Sequence, residues 1–176
     1  HAPKVEAGDM DLIHQPLDFL GINFYTRSFI STQTPPKPAP GKQGFTDMGW
    51  EIYPEALTQH LVRLSREYAP PPIFITENGM ANADKLVDGR VADVERIQYV
   101  NEHLKALARA VALGVDVRGY FYWSLLDNFE WNSGYTKRFG LFHVDYATQE
   151  RVAKDSALWY RDFIAAFKSR RTPKAG

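Results

Sequence analysis

Three short apolar segments alternate with two amphipathic segments between Asp18 and Ser124, and this alternation constrains the fold more than any other feature. The apolar segments, 18–26, 73–76 and 117–124, are rich in β-branched and aromatic residues, as strands are. The segments between them repeat apolar residues every three or four positions, as helices do. The order strand, helix, strand, helix, strand predicts an α/β fold with a parallel sheet and right-handed crossovers.

The two predicted helices have recognisable ends. The first begins near Pro54, because proline is favoured in the first turn of a helix. The second begins after Asp93, a residue type that caps helix N-termini, and ends at Gly114. The predicted buried stripes are Leu57, Leu61, Leu64 and Tyr68 in the first helix and Ile97, Val100, Leu104, Leu107 and Val111 in the second.

The remaining segments are predicted with less regular structure. Residues 31–49 are rich in proline and glycine and read as one long loop. The alternating segment 138–145 predicts a short strand that pairs with 151–152 as a hairpin, and a last helix begins at about Asp155. Residues 1–17 and 168–176 are expected to be poorly ordered.

Composition excludes several classes of function. Lys plus Arg and Asp plus Glu number 21 each, so no net charge attracts nucleic acid or a membrane surface. No apolar run reaches the roughly 20 residues that span a bilayer, and no signal peptide is predicted. The chain has no cysteine, which fits a cytoplasmic location and excludes thiolate metal sites. Its histidines lack ligand-like spacing, so we expect no metal and no cofactor.

Glu77 ends the strand Ile73–Thr76 and precedes the turn signal Asn78-Gly79. A carboxylate at the C-terminal end of a buried parallel strand occupies the position at which barrel enzymes place catalytic groups. Taken alone, it could equally be a solvated charge at the end of a strand. A second cluster, 121–131, favours the catalytic interpretation, because it places acidic residues among aromatic ones after the third strand.

Together, the Ile75-Thr76-Glu77-Asn78-Gly79 motif and the 121–131 cluster resemble the C-terminal part of the family 1 glycoside hydrolases, the β-glucosidase group. The resemblance extends from about Asp18 to Phe167. It implies that 1–176 is the C-terminal part of a single (β/α)8 TIM barrel domain and supplies roughly the last three strand-helix units. Three units cannot close such a barrel, which typically needs about 250 residues, and an open sheet would expose both edges.

The resemblance implies a catalytic group on the first two strands. Glu77 would be the nucleophile of a retaining mechanism. Tyr25 would place its hydroxyl beside that carboxylate, and Asn23 belongs to the same Asn-x-Tyr motif.

The resemblance also implies five substrate-binding residues. Glu130 and Trp131 would contact hydroxyl groups of the glycone, and Trp123 would lie beneath the sugar ring. Phe139 would close the hydrophobic side of the pocket, and Trp50 would form a wall of the leaving-group site. Core packing is the alternative for each tryptophan, and we accept it for Trp159 on the last helix. Asp127 and Asn128 are expected to orient the loop that carries Glu130.

The implied function is a retaining β-glycosidase that removes terminal non-reducing β-D-glucosyl residues from β-glucosides or oligosaccharides. The family's acid/base glutamate lies in an Asn-Glu-Pro motif, and no such motif occurs in this chain. We therefore expect the chain to need an N-terminal half-barrel or to self-associate, and to be inactive or very weak alone.

Two alternatives stay open. The chain could be a non-catalytic carbohydrate-binding or self-assembling half-barrel fragment. It could also be a 6-phospho-β-glycosidase, an enzyme class that resembles this one but has serine at the position of Glu130. Lys137 and Arg138 favour a phosphate, whereas the charge of Glu130 would repel it.

Overall fold

The computed structural model describes residues 3–34 and 37–171. In this part of the chain the helices are α1 (Asp9–Ile13), α2 (Glu55–Tyr68), α3 (Val94–Ala112) and α4 (Asp155–Arg171). The strands are β1 (Leu20–Asn23), β2 (Ile73–Asn78), β3 (Val117–Tyr122), β4 (Phe142–Val144) and β5 (Arg151–Ala153). A short 3-10 turn covers Trp131–Ser133.

Strands β1, β2 and β3 form a parallel sheet in that order, so β2 is central and the other two are edge strands. Strands β4 and β5 form the predicted antiparallel hairpin, with His143 opposite Val152. The alternation predicted from sequence is therefore confirmed. The third strand is shorter than predicted, because β3 ends at Tyr122 and Trp123 lies just beyond it.

Helices α2 and α3 cover one face of the sheet and form the main core with it. The fully buried side chains there include Leu57 and Leu61 of α2 and Ile75 of β2. Small residues of α3 allow the two helices to approach closely, and the Thr58 hydroxyl donates a hydrogen bond to the Ala106 carbonyl at 2.8 Å. A layer of helices on a parallel sheet buries the apolar side of each element.

The opposite face of the sheet carries large apolar side chains that remain accessible. Phe19 is 53% and Phe121 is 56% exposed, and Phe19 packs edge-on against Phe74 at 5.4 Å between ring centroids. Gly119 makes room for these rings, since a Cβ there would lie 2.3 Å from the Phe74 ring. We call this surface, with Asn23 and Thr76, the open face.

The central strand contains a bulge at the level of the predicted nucleophile. Ile22 pairs with Ile75 and Asn23 with Glu77, so β2 uses one residue more than β1. The same extra residue appears against β3, where the register shifts between Ile75 and Asn78. A bulge changes which face the following side chains occupy. Here Asn78 is buried, whereas Thr76 is exposed and Glu77 is half-buried.

The helix stripes differ in part from the prediction. Tyr68 is 68% exposed and Val111 is 48% exposed, although both were expected to be buried. Helix α3 instead buries Arg96, Tyr99 and His103. The predicted stripe assumed that only apolar residues face inward, whereas in α3 polar side chains with internal partners occupy part of the buried face.

The expectation that 1–17 and 168–176 are poorly ordered stays a prediction, although both ranges contain helical residues. Residues 9–13 form α1, although none of its side chains is buried. Helix α4 continues to Arg171. The expectation for 1–2 and 172–176 lies outside the described residues. Among the described helices, none is long and apolar enough to cross a membrane.

Candidate active site

Tyr25 and Glu77 meet at the C-terminal ends of β1 and β2. The Tyr25 hydroxyl donates a hydrogen bond of 2.6 Å to Oε2 of Glu77. Burial, followed by this bond and the charge of Glu77, raises the pKa of Tyr25 well above its usual value. Tyr25 therefore keeps its proton and serves as a donor to the carboxylate.

Backbone and side-chain bonds fix the strand ends that carry this pair. The Phe24 amide donates to the Glu77 carbonyl at 2.8 Å, which extends the pairing of β1 and β2 beyond Asn23. The third predicted member, Asn23, pairs with Glu77 in the strand register. Its side-chain oxygen, however, accepts a 2.7 Å hydrogen bond from the Thr76 hydroxyl. The Asn23 side chain is thus bonded to the residue before Glu77, and a catalytic role for Asn23 stays a prediction.

Two of the predicted substrate-binding residues pack against Tyr25. The Trp50 ring lies 5.4 Å and the Phe139 ring 6.0 Å from the Tyr25 ring, between centroids. Trp50 and Phe139 are themselves 6.1 Å apart. Phe139 is only 2% exposed. The three rings form an aromatic wall beside the Tyr25 hydroxyl and the Glu77 carboxylate.

Trp123 lies directly behind the turn that follows Glu77. Its amide donates to the Asn78 carbonyl at 3.0 Å. Gly79 permits this close approach, because a Cβ there would lie 1.9 Å from the Trp123 carbonyl oxygen. The glycine of the Glu-Asn-Gly motif is therefore a packing requirement that joins the ends of β2 and β3.

Glu130 is affected by the charge of Glu77, whereas the neighbouring Trp131 is exposed. Burial, followed by the charge of Glu77, raises the pKa of Glu130. The charge of Glu130 is also among the smaller causes of the raised pKa of Tyr25. Trp131 is 83% exposed with φ at 41°. Its ring is thus not packed in the core, and its contact with a sugar stays a prediction.

The loops around the site are tied to one another by charged groups. Lys137 bonds the Asp47 carbonyl at 2.6 Å and its carboxylate at 3.0 Å, which joins the loop after β3 to the loop before α2. Beside Trp50, the buried Glu51 accepts a hydrogen bond of 2.8 Å from Arg27 and one of 2.9 Å from the Gly41 amide. The bond from Arg27 holds the pKa of Glu51 below its usual value.

Behind the loop of Glu130 lies a group of charged side chains whose proximity no sequence pattern indicates. We call it the buried ion cluster; its five members are Asp84, Asp93, Arg96, Asp127 and Lys154, each with a fully buried side chain. Lys154 bonds Asp84 at 2.5 Å and Asp127 at 2.8 Å. Arg96 bonds Asp84 at 2.6 Å and also contacts Asp93.

The buried ion cluster holds the segment that presents Phe139. Asp127 accepts a hydrogen bond of 2.9 Å from the Gly140 amide and one of 2.6 Å from Arg138. Arg96 donates to the Arg138 carbonyl at 2.9 Å. Asp127 thus holds this segment through two charged partners and two backbone amides, and its expected role in orienting the Glu130 loop stays a prediction.

Asp93 immediately precedes α3, as predicted, but its side chain accepts no hydrogen bond from the helix amides. Its carboxylate instead accepts from the amide and hydroxyl of Ser156 at the start of α4. No sequence spacing distinguishes these members of the cluster from ordinary surface charges. Among residues 3–34 and 37–171, no group of three or more acidic, His or Cys side chains could hold a metal ion.

Comparison with known proteins gives a consistent match. The model of glycosyl hydrolase family 1 matches residues 1–169. A bifunctional β-D-glucosidase/β-D-fucosidase of Bifidobacterium breve is 48% identical over 185 residues, covering 93% of this chain and 40% of that protein. A 6-phospho-β-galactosidase of Clostridium acetobutylicum is 38% identical, covering 90% and 39%.

Solved structures of β-glucosidases resemble this chain in fold as well as in sequence. The family 1 β-glucosidase of Exiguobacterium antarcticum is 47% identical with a TM-score of 0.85, over 94% of this chain and 38% of that one. The β-glucosidase of Thermotoga maritima in complex with noeuromycin is 43% identical with a TM-score of 0.84, over 89% and 36%. The chain thus spans about 40% of the length of the curated relatives it matches.

Proposed function

The chain belongs to glycosyl hydrolase family 1 and forms the last part of a (β/α)8 barrel, and from this we propose that it carries the nucleophile and most of the glycone site of a retaining β-glucosidase. The observation that carries the proposal is the 2.6 Å hydrogen bond between Tyr25 and Glu77 at the C-terminal edge of the sheet. Active sites of such barrels lie at this edge.

In the proposed reaction, an oxygen of Glu77 attacks the anomeric carbon as the glycosidic bond breaks, and the leaving oxygen takes a proton from a second carboxylic acid. Water then cleaves the glycosyl ester, with that second group acting as base. The two carboxyl groups of a retaining glycosidase lie about 5–5.5 Å apart. Tyr25 orients Glu77 by donating to one of its carboxylate oxygens, so that the other can face the sugar.

Glu130 is proposed to accept hydrogen bonds from sugar hydroxyls, since a charged acceptor forms shorter and stronger bonds than a neutral one. Trp123 and Trp131 would contact the same sugar, and the wall of Trp50 and Phe139 would border the leaving group. The exposure of Trp131 supports this role, because its indole is accessible to a substrate. We also propose a cytoplasmic location, which rests on the absence of cysteine.

We further propose that the acid/base group comes from the N-terminal part of the barrel, which would also cover the open face. Phe19 and Phe121 are both more than half exposed there, and β1 and β3 are edge strands. Exposed edges and apolar surface of this kind favour association. The chain alone should therefore self-associate and lack enzymatic turnover, since general acid catalysis typically contributes about 10²–10⁴-fold.

The test is to co-express the chain with the N-terminal part of the Bifidobacterium or Thermotoga relative and to assay a chromogenic β-glucoside. We expect turnover only in the completed assembly, and a loss of about 10⁴-fold or more in Glu77→Gln. Glu95→Gln, an exposed carboxylate of α3, is the matched control. A loss of only a few-fold in a folded Glu77→Gln assembly contradicts the nucleophile assignment.

The alternative of a non-catalytic half-barrel predicts association without turnover in any combination. The 6-phospho alternative has the support of the Clostridium relative. Against it, Glu130 would repel a phosphate, while Lys137 bonds Asp47 and Arg138 bonds Asp127 instead of facing a substrate freely. Comparing glucosides with their 6-phosphates in the completed assembly separates these functions.

A further inference from the structure

A cluster of buried hydroxyl and amide groups lies on the helix side of the sheet, directly behind the Tyr25–Glu77 pair. Asn78 is fully buried, and its Nδ2 donates a hydrogen bond of 2.7 Å to the Phe24 carbonyl. Its Oδ1 accepts a hydrogen bond of 2.7 Å from the Tyr120 hydroxyl of β3. The Tyr99 hydroxyl of α3 donates a hydrogen bond of 2.9 Å to the Tyr25 carbonyl and lies 3.3 Å from Asn78 Nδ2.

These bonds occur where the ordinary strand pairing is interrupted. The bulge in β2 places Glu77 toward the open side and Asn78 toward the helices. A bulge leaves backbone groups without their usual ladder partners. The Asn78 amide and the Tyr99 hydroxyl supply those partners, since they bond the carbonyls of Phe24 and Tyr25 at the end of β1.

We infer that Tyr99 is a positioning residue for the nucleophile, acting through the backbone of Tyr25. The inference rests on the proposed function of Glu77. Tyr99 donates a hydrogen bond to the Tyr25 carbonyl, and the Tyr25 side chain donates one to the Glu77 carboxylate. On the helix side of the sheet, Asn78 of β2 bonds the Phe24 carbonyl at the end of β1. The chain of contacts runs from α3 through the sheet to the Glu77 carboxylate.

The surroundings of Tyr99 keep its hydroxyl in one place. Its ring packs 4.0 Å from the buried His103 ring, between centroids, and is 2% exposed. Burial raises the pKa of Tyr99, so its hydroxyl stays protonated and remains a donor. A donor fixed in this way limits the rotation of the Tyr25 backbone. Displacement of a catalytic group by about 1 Å can lower a rate by about 10²-fold.

The experiment compares Tyr99→Phe with Tyr160→Phe in the completed assembly. Both changes remove one phenolic hydroxyl from the layer between sheet and helices. Tyr160, however, packs its ring against those of Tyr120 and Tyr122. We expect Tyr99→Phe to lower kcat about tenfold with KM changed less than about twofold, since orientation and not sugar binding is lost. Tyr160→Phe should leave both constants nearly unchanged.

A double variant tests whether Tyr99 acts through Tyr25. If it does, Tyr25→Phe/Tyr99→Phe should be no slower than Tyr25→Phe alone, because the first change already removes the group that Tyr99 positions. Losses that simply multiply would overturn the inference. Equal losses of kcat in Tyr99→Phe and Tyr160→Phe would also overturn it, since they indicate a general effect of removing a buried hydroxyl.

A readout without turnover separates this inference from the proposed function. In the chain labelled at tyrosine, NMR reports the hydrogen bond of the Tyr25 hydroxyl. Tyr99→Phe should shift the Tyr25 resonance and Tyr160→Phe should not. If the unaltered assembly lacks activity, the proposed function fails, and this comparison still decides the positioning role. An unshifted Tyr25 resonance in Tyr99→Phe contradicts it.

Discussion

The Tyr25 hydroxyl donates a 2.6 Å hydrogen bond to Oε2 of Glu77, and it does so from just beyond the end of the neighbouring strand β1. The pairing of β1 with β2 therefore determines the distance between these two side chains. A bulge beside Glu77 places the carboxylate on the same side of the sheet as Tyr25. The candidate nucleophile is thus held by the register of two strands as well as by its own side chain.

Tyr25→Phe tests this relationship directly. In the completed assembly we expect kcat to fall by roughly 10–10²-fold with little change in fold, because one carboxylate oxygen loses its donor and its orientation. Steady-state kinetics on a chromogenic β-glucoside provide the measurement. Tyr68→Phe, an exposed tyrosine of α2, is the control, and an equal effect of the two changes would contradict the role of Tyr25.

Glu130→Gln tests the contact between the carboxylate and the sugar. We expect KM for glucosides to rise by roughly tenfold or more, because a charged acceptor is replaced by a neutral one worth about 1–2 kcal/mol less. The pKa of Glu130 is raised by burial and by Glu77. As pH falls through that raised pKa, the carboxylate gains a proton and loses its acceptor strength, so KM should rise on the acidic side.

The pH dependence provides its own check. Glu130→Gln should remove the acid-side rise of KM, because the amide does not titrate. Kinetics between neutral and acidic pH measure this dependence. Unchanged KM values in Glu130→Gln would assign Glu130 to the loop structure alone.

Lys154→Met tests the buried ion cluster. The change leaves Asp84 and Asp127 without the ammonium that lies 2.5 Å and 2.8 Å from them. Removing one partner of a buried ion pair typically costs about 3–5 kcal/mol. We expect the free energy of unfolding of the completed assembly to fall by that amount in urea denaturation.

Arg90→Met is the matched control for this change. Arg90 bonds Asp155, at the start of α4 beside Lys154, but its side chain is 72% exposed. Exposed pairs typically contribute about 0–1 kcal/mol. If the two variants lose the same stability, the buried cluster contributes no more than a surface pair.

Patterns of hydrophobicity predicted the order of strands and helices, because each element must bury one apolar side against its neighbour. The same patterns failed on α3. Val111 was expected inside and is 48% exposed, while Arg96 and His103 are fully buried. Their burial depends on partners distant in sequence, such as Asp84 on the loop after β2, and no local spacing encodes such pairing.

The sequence indicated some of the residues at the candidate site and not others. Tyr25 and Glu77 could be placed together because both end adjacent parallel strands, where side chains converge. The contribution of Asn78, Tyr99 and Tyr120 could not be predicted in this way. It arises from the bulge in β2, and the sequence Ile-Thr-Glu-Asn-Gly does not indicate where the strand gains its extra residue.

The last prediction concerns His103, which is fully buried on α3. Its Nδ1 lies 2.8 Å from the Tyr99 carbonyl, and its Nε2 is buried without a partner among the described residues. Burial lowers the pKa of His103 to about 4 from an ordinary value of 6.5. The unfolded chain therefore binds the proton more tightly than the folded chain, and the neutral ring stabilises the fold above pH of about 6.5.

This stability is lost as pH falls from about 6.5 toward about 4, and the total loss is about 3 kcal/mol. His103→Leu removes the titrating ring, so its free energy of unfolding should fall less steeply over this range. His60→Gln, on the exposed side of α2, should keep the slope of the unaltered chain. Urea denaturation of the completed assembly at a series of pH values measures the three slopes. Parallel curves for all three would mean that the buried imidazole gains its proton without cost to the fold, and a neutral His103 packed on Tyr99 would then be excluded.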